Sequence, residues 1–133
     1  KVVVSGRVIA KTDKGFRSLE TSHPPSYYIP PDDIDMADLR YNQRVTLCEW
    51  KGTASYFNFE LGDRSIADIA WTYTDPTPTF RKIKNYLSFY ASKVDACYVN
   101  SEKVLAQDGD FYGGWITKHL TGPFKGGQGT AGW

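Results

Sequence analysis

Three successive stretches of alternating side chains constrain the fold of this chain more than any other feature. They read "QRVTLCEW", "TASYFNFEL" and "RSIADIAWTY" and lie within residues 43–73. Because neighbouring side chains of a strand point to opposite faces, this period of two predicts three long β-strands. In the first stretch Val45 and Leu47 share one face, while Thr46, Cys48 and Trp50 share the other. The turn residues "LGDR" and the prolines of "TDPTPTF" punctuate the series.

Shorter β-branched runs flank this central part and predict two hairpins. One hairpin turns at Ser5-Gly6, and the other turns at Asn100-Ser101 between "ACYV" and "EKVLA". A single helical turn is expected in "PDDIDMADLR", and "FRKIKNYLSFY" fits a short helix that becomes a strand. We therefore predict a mainly β, small antiparallel domain with one or two short helical turns.

The C-terminal part of the chain has a different composition. We place a β domain at residues 1–110 and a glycine-rich extension at residues 111–133, an irregular tail that docks on the domain through aromatic anchors such as Trp115. The tail also offers an alternative role in assembly, in which Trp115 and Trp133 contact another protein. A monomer or a weak homo-oligomer is expected.

Charge and composition exclude several classes of function. The formal net charge is only +1 over 133 residues, so we expect no nucleic-acid partner. No apolar run approaches the roughly 20 residues that span a bilayer, and the N-terminal residues read as strand, so we expect no membrane partner and a cytoplasmic location. Cys48 and Cys97 are isolated and are expected to be reduced thiols. The spacing of cysteines and histidines predicts no metal site, and no cofactor is expected.

A rigid, reactive stretch, "ETSHPPSYYIPP", carries the first group of candidate site residues. Its prolines fix the backbone and would hold neighbouring side chains in place. Glu20, Ser22 and His23 could contact a ligand, and His23 could act as a general acid or base. The alternative is a loop histidine that caps a turn. Tyr28 alternates with Tyr27, so one of the two should face a cleft.

A second group of candidates lies in "CEWKGTASYF" and "AWTYTDP". Cys48 or Lys51 could serve as a nucleophile, although a free cysteine is more often a small buried hydrophobe. Gly52, which lacks a Cβ atom, would let a backbone turn or a ligand approach closely. An aromatic cage for a flat or cationic ligand could be built from Trp50, Trp71 and Tyr73, with Tyr56 and Tyr90 as reserve members.

The ordered motifs "ETSHPPSYYIPPDDI", "CEWKGTASYF", "AWTYTDP" and "FYASKVDACYVNSEKV" resemble the bacterial family called domain of unknown function 427, also labelled nucleotidyltransferase-like. The glycine-rich tail resembles the extension of one subgroup. The resemblance implies a fold related to the β-tent, but the chain lacks the paired CxxC motifs of metal-binding β-tent domains. It supplies no established reaction.

We therefore expect a β-tent-like domain that binds a small molecule in an aromatic and polar cleft. An enzyme is the alternative, either nucleotidyltransferase-like or dependent on His23, Cys48 or Lys51. Nucleotidyl transfer fits less well, since the chain lacks a phosphate-binding GxxxxGK[ST] motif.

Overall fold

The computed structural model describes residues 1–18, 26–106 and 114–117, and these residues form short and long β-strands. The strands are β1 (Val2–Val4), β2 (Arg7–Ala10), β3 (Phe16–Ser18), β4 (Ser26–Tyr28), β5 (Leu39–Cys48), β6 (Gly52–Leu61), β7 (Arg64–Tyr73), β8 (Leu87–Phe89), β9 (Ala96–Val99), β10 (Glu102–Lys103), β11 (Leu105–Ala106) and β12 (Trp115–Ile116). Two 3₁₀ segments span Pro31–Asp33 and Pro78–Ile83. Within these ranges, no helix has the length and apolar character needed to cross a membrane.

Two four-stranded sheets organise the domain, and all their pairings are antiparallel. The larger sheet has the order β5-β6-β7-β8, and the smaller has the order β10-β9-β1-β2. Two ribbons, β3–β4 and β11–β12, complete the pattern. The prediction of a mainly β, antiparallel domain with one or two short helical turns is confirmed.

Local turn chemistry forms the two short hairpins where the sequence predicts them. Ser5 and Gly6 have φ of 53° and 73°, and Asn100 and Ser101 have φ of 49° and 72°. Each pair joins adjacent antiparallel strands as a two-residue turn, because Val4 pairs with its partner strand directly before the turn and Glu102 directly after it. Two central residues with positive φ give a twist that matches that of the strands.

The larger sheet buries side chains on both faces. Phe57 lies opposite Ala70 in the register of β6 and β7, and both belong to a first buried cluster shared with the smaller sheet. The next pair, Tyr56 opposite Trp71, belongs to a second buried cluster, as does Tyr73. Neighbouring residues of a strand face opposite ways, so the two clusters lie on opposite faces of this sheet.

Strand β5 turns its polar face, not its apolar face, toward the protein. Val45 and Leu47 are 62% and 75% exposed. On the other face, Thr46 Oγ1 lies 2.8 Å from Tyr56 Oη, and the Arg44 guanidinium carbon lies 4.6 Å from the centre of the Tyr56 ring. A buried tyrosine needs a hydrogen-bond partner for its hydroxyl, and the polar residues of β5 supply one.

Candidate functional site

The candidate site is built around Lys51, at the tip of the hairpin that joins β5 and β6. Cys48 pairs with Gly52, so only three residues make the connection. Although it lies in a hairpin connection, Lys51 is only 5% exposed. Its carbonyl oxygen accepts a hydrogen bond from the Thr77 backbone N–H at 2.8 Å, and the Thr77 hydroxyl donates to the carbonyl of Trp50. The segment after β7 therefore holds the hairpin tip in place.

Gly52 permits this close approach of two backbone segments. Its φ is +117°, and a Cβ atom at this position would lie 3.1 Å from the carbonyl oxygen of Asp75 and 3.4 Å from Cα of Pro76. Residues with a side chain rarely adopt this backbone φ, and Cβ atoms in proteins rarely lie this close to other heavy atoms. The sequence predicts a close approach at Gly52, and the backbone of residues 75–77 makes it. This contact holds Gly52, the residue next to Lys51, in place.

Aromatic rings surround the Lys51 ammonium group. Its Nζ atom lies 3.4 Å from the hydroxyl oxygen of Tyr28. The same atom lies 5.5 Å from the ring centre of Tyr28 and 5.8 Å from that of Phe80. The ammonium group therefore lies beside the hydroxyl edge of the Tyr28 ring and near the Phe80 ring, in a residue that is almost fully buried.

Further rings extend the second cluster behind Tyr28. The Tyr28 ring lies 6.4 Å from Trp71 in an edge-on arrangement and 6.3 Å from Tyr73. Trp71 in turn lies 4.6 Å from Tyr90. Burial, followed by the neighbouring Tyr56, raises the pKa of the Tyr90 phenol above its ordinary value, so Tyr90 stays protonated at neutral pH. The cluster is therefore a packed group of neutral rings beside one lysine.

A polar network at the rim fixes Arg44 above Tyr56. Arg44 donates to Asp68 at 2.7 Å, and Asn42 donates to both Asp68 and Asn58 at 2.7 Å. Burial acts to raise the pKa of Asp68, but the hydrogen bonds from Arg44 and Asn42 outweigh it and leave the pKa below its usual value. The same pairing raises the pKa of Arg44. Asp68 is thus ionised and holds the guanidinium in position.

Five of the predicted residues meet in or beside the second cluster: Tyr28, Lys51, Tyr56, Trp71 and Tyr73. Cys48 is half-buried and packs against it. Trp50, in contrast, is 76% exposed and is not among the residues of that cluster. The remaining candidates, Glu20, Ser22 and His23, lie outside the described residues, so their roles stay predictions.

Sequence reasoning missed Phe80 and the polar rim. Phe80 follows two prolines in a 3₁₀ segment, and nothing in its local pattern marks it as a neighbour of Lys51. Asn42, Asn58 and Asp68 did carry a signal, because polar residues within a strand often face a partly buried network. Asp68 also has φ of 54°, which interrupts the regular strand.

The acidic and sulfur-containing side chains of the described ranges do not form a metal site. Among these residues, no group of three or more His, Cys, Asp or Glu side chains could hold an ion. Cys97 lies in the first cluster as a free thiol, and burial raises its pKa to about 12. A thiol in that environment is inert, and Cys48 is the more exposed of the two cysteines.

Comparison with known proteins gives a family but no activity. The model of a family described as domain of unknown function (DUF427) matches residues 1–100. None of the curated proteins matches the chain. The family match ends before the glycine-rich tail, so the subgroup with a tail extension stays a prediction. Since the match spans most of the chain, this protein belongs to the family called domain of unknown function 427.

Proposed function

We propose that this protein binds a small molecule beside Lys51. The observation that carries the proposal is a lysine residue, 5% exposed, whose ammonium group lies near two aromatic rings at the tip of a clamped hairpin. A hydrogen-bonding lysine and phenol beside apolar aromatic rings are the combination of groups that small-molecule sites use to orient a ligand.

The geometry favours a flat ligand with an oxygen acceptor over a cationic one. The Lys51 ammonium already lies beside the rings of Tyr28 and Phe80, where a ligand cation would have to bind. A second positive charge there would be repelled. A carboxylate or a carbonyl oxygen would be attracted, and a planar group would add contacts with the neighbouring aromatic cluster.

The segment before β4 would supply further polar contacts. β4 begins at Ser26 and carries Tyr28 into the second cluster. Glu20, Ser22 and His23 precede β4 by three to six residues in the sequence. We assign them the recognition of ligand hydrogen-bonding groups.

Binding of flat organic acids to the full chain tests this function. Benzoate, nicotinate and indole-3-carboxylate would be titrated by calorimetry into the natural protein, Lys51→Met and the control Lys82→Met, whose side chain is exposed. Losing a charge-assisted hydrogen bond costs about 1.5–3 kcal/mol, so Lys51→Met should bind about 10- to 100-fold more weakly. Unchanged binding by Lys51→Met, with its fold intact, would contradict the proposal.

A lysine-dependent reaction is a second candidate, favoured by the phenol of Tyr28 at 3.4 Å from Nζ. The neutral amine would form a bond to a carbonyl carbon, and the carbonyl oxygen would leave as water, giving an imine. The Tyr28 hydroxyl is placed to exchange a proton during that step. Treatment with 4-carboxybenzaldehyde and cyanoborohydride should then leave a reduced adduct at Lys51, found by peptide mass spectrometry. Adducts restricted to exposed lysines would exclude the reaction with this aldehyde.

A further inference from the structure

A cleft lies on the face of the β3–β4 ribbon that carries Tyr27. Its volume is about 580 Å³, within the range of roughly 300–1,000 Å³ that is typical of small-molecule sites. Tyr27 lines this cleft, whereas its neighbour Tyr28 belongs to the second cluster. Of the described residues that line the cleft, none belongs to that cluster. The cleft is therefore separate from the second cluster and from Lys51.

One part of the cleft is a fixed aromatic surface. The ring of Tyr27 stacks on Trp115, with ring centres 5.1 Å apart and planes inclined by 29°. Trp115 is buried, and its Nε1–H donates to the carbonyl of Phe89 at 2.9 Å. This hydrogen bond and the stacking orient both rings before any ligand arrives. Aromatic surfaces of this kind bind planar groups by stacking.

Another part of the cleft is positively charged. Lys1, Lys11 and Arg17 line it, and Asp13 is the single carboxylate among the lining residues that the structure describes. The formal side-chain charge of these residues is thus +2, larger than the +1 of the entire chain. Arg17 pairs with Tyr27 across β3 and β4, so the cation and the ring are direct neighbours on one face of the ribbon.

The wall that carries Lys11 is held in place by specific contacts. Thr12 Oγ1 donates to Asp33 at 2.6 Å and accepts the backbone N–H of Lys14 at 2.9 Å. At Gly15 a Cβ atom would lie 3.0 Å from the carbonyl oxygen of Tyr28, so this loop lies tightly on β4. A shaped wall lowers the entropic cost of binding a ligand.

We propose that this cleft binds an aromatic anion, a flat ring that carries a phosphate or a carboxylate. The ring lies against Tyr27, and the anionic group contacts Arg17 and Lys11. Guanidinium and ammonium groups both bind these anions, and guanidinium binds them with two parallel hydrogen bonds. The inference is independent of the proposed site at Lys51, since the two sites have no described residue in common.

Calorimetric titration of the full chain with four matched probes tests the cleft. The probes are 1-naphthyl phosphate, 1-naphthoate, uncharged 1-naphthol and inorganic phosphate. At least one naphthyl anion should bind about tenfold or more tightly than naphthol and than inorganic phosphate, because it uses both the ring and the cations. The tighter of the two anions identifies the source as a phosphate or a carboxylate. Equal binding of naphthol, or no binding of either anion at millimolar concentration, would overturn the proposal.

Variants then locate the bound anion. Arg17→Gln and Tyr27→Leu should each weaken binding of the tighter anion about tenfold. The control Arg81→Gln, an exposed arginine that does not line the cleft, should bind it unchanged. Lys51→Met should also bind it unchanged, which separates this cleft from the proposed site. A loss in Lys51→Met without a loss in Arg17→Gln would place the anion elsewhere and refute the assignment.

Discussion

Replacing Gly52 by alanine tests whether the backbone of residues 75–77 clamps the hairpin that carries Lys51. The added methyl group would meet the Asp75 carbonyl oxygen at 3.1 Å and Cα of Pro76 at 3.4 Å, both of them backbone atoms. Neither atom can rotate away as a flexible side chain would. Accommodation would require the segment to move and would weaken the hydrogen bond of 2.8 Å from the Thr77 N–H to the Lys51 carbonyl.

The expected loss of stability combines three effects. A side chain at φ of +117° costs about 1–3 kcal/mol. The steric conflict adds about 1–3 kcal/mol, as overpacking does elsewhere in proteins. Alanine also restricts the unfolded chain, which restores about 0.4–1 kcal/mol. The net loss in the free energy of unfolding therefore lies between about 1 and 6 kcal/mol and is centred on about 3 kcal/mol.

Gly62→Ala is the matched control. Gly62 has φ of +57°, but none of the described heavy atoms lies within 4 Å of the position that an alanine Cβ would take, so the substitution tests backbone strain without the collision. The left-handed conformation costs alanine about 1–2 kcal/mol, and the same effect on the unfolded chain offsets part of that cost. We expect a net loss of about 1 kcal/mol for Gly62→Ala.

Urea unfolding followed by tryptophan fluorescence measures the difference between the two variants. Gly52→Ala should be less stable than Gly62→Ala by about 2 kcal/mol, which corresponds to a Tm lower by roughly 6–10 °C for a chain of this size. Gly52→Ala should also weaken the binding of any ligand that depends on Lys51. Equal stability of the two variants, within about 0.5 kcal/mol, would refute the clamp.

Two further predictions concern ionisable groups. A thiol reagent at pH 8 should label Cys48 in the folded protein but not Cys97, because a pKa of about 12 leaves a thiolate fraction of only about 10⁻⁴; labelling of both before unfolding would contradict the buried thiol. Asp68→Asn should lower stability by about 1 kcal/mol at pH 7, a value reduced by solvent screening of the half-exposed Arg44. The pKa of Asp68 is lowered in the folded state, so the difference in stability between the natural protein and Asp68→Asn should be present above pH 3.8, the ordinary value of an aspartate. It should disappear as the pH falls further. A difference in stability that persists at pH 2 would exclude the ion pair as its cause.

The strands and hairpins could be predicted from the sequence because their causes are local. Alternation within β6 and β7 requires only neighbouring side chains, and the turn at Asn100-Ser101 requires only two residues that tolerate positive φ. Part of the site was predictable for the same reason. Tyr56 and Trp71 lie in clear strand patterns. Once the two strands pair, these residues lie on the same face of the sheet.

Only the tertiary structure decided which face of each strand would be covered. The alternation in β5 is equally regular whether Val45 or Thr46 points inward, and the buried Tyr56 hydroxyl selected the polar face. Lys51 looks like an ordinary surface lysine in sequence, and it is buried because residues 75–77 pack on the hairpin from far along the chain. Trp50, one residue earlier, is 76% exposed.

The two adjacent tyrosines of β4, Tyr27 and Tyr28, show which features follow from the sequence and which follow from the tertiary structure. Their alternation is a property of the strand itself, so the sequence alone required them to face opposite sides. That Tyr28 meets Lys51 while Tyr27 meets Trp115 depends on two elements distant in the chain, which pack on opposite faces of one ribbon. Contacts of that kind come from packing and carry no local pattern, so the sequence determined the strand and the tertiary structure determined what each of its faces contacts.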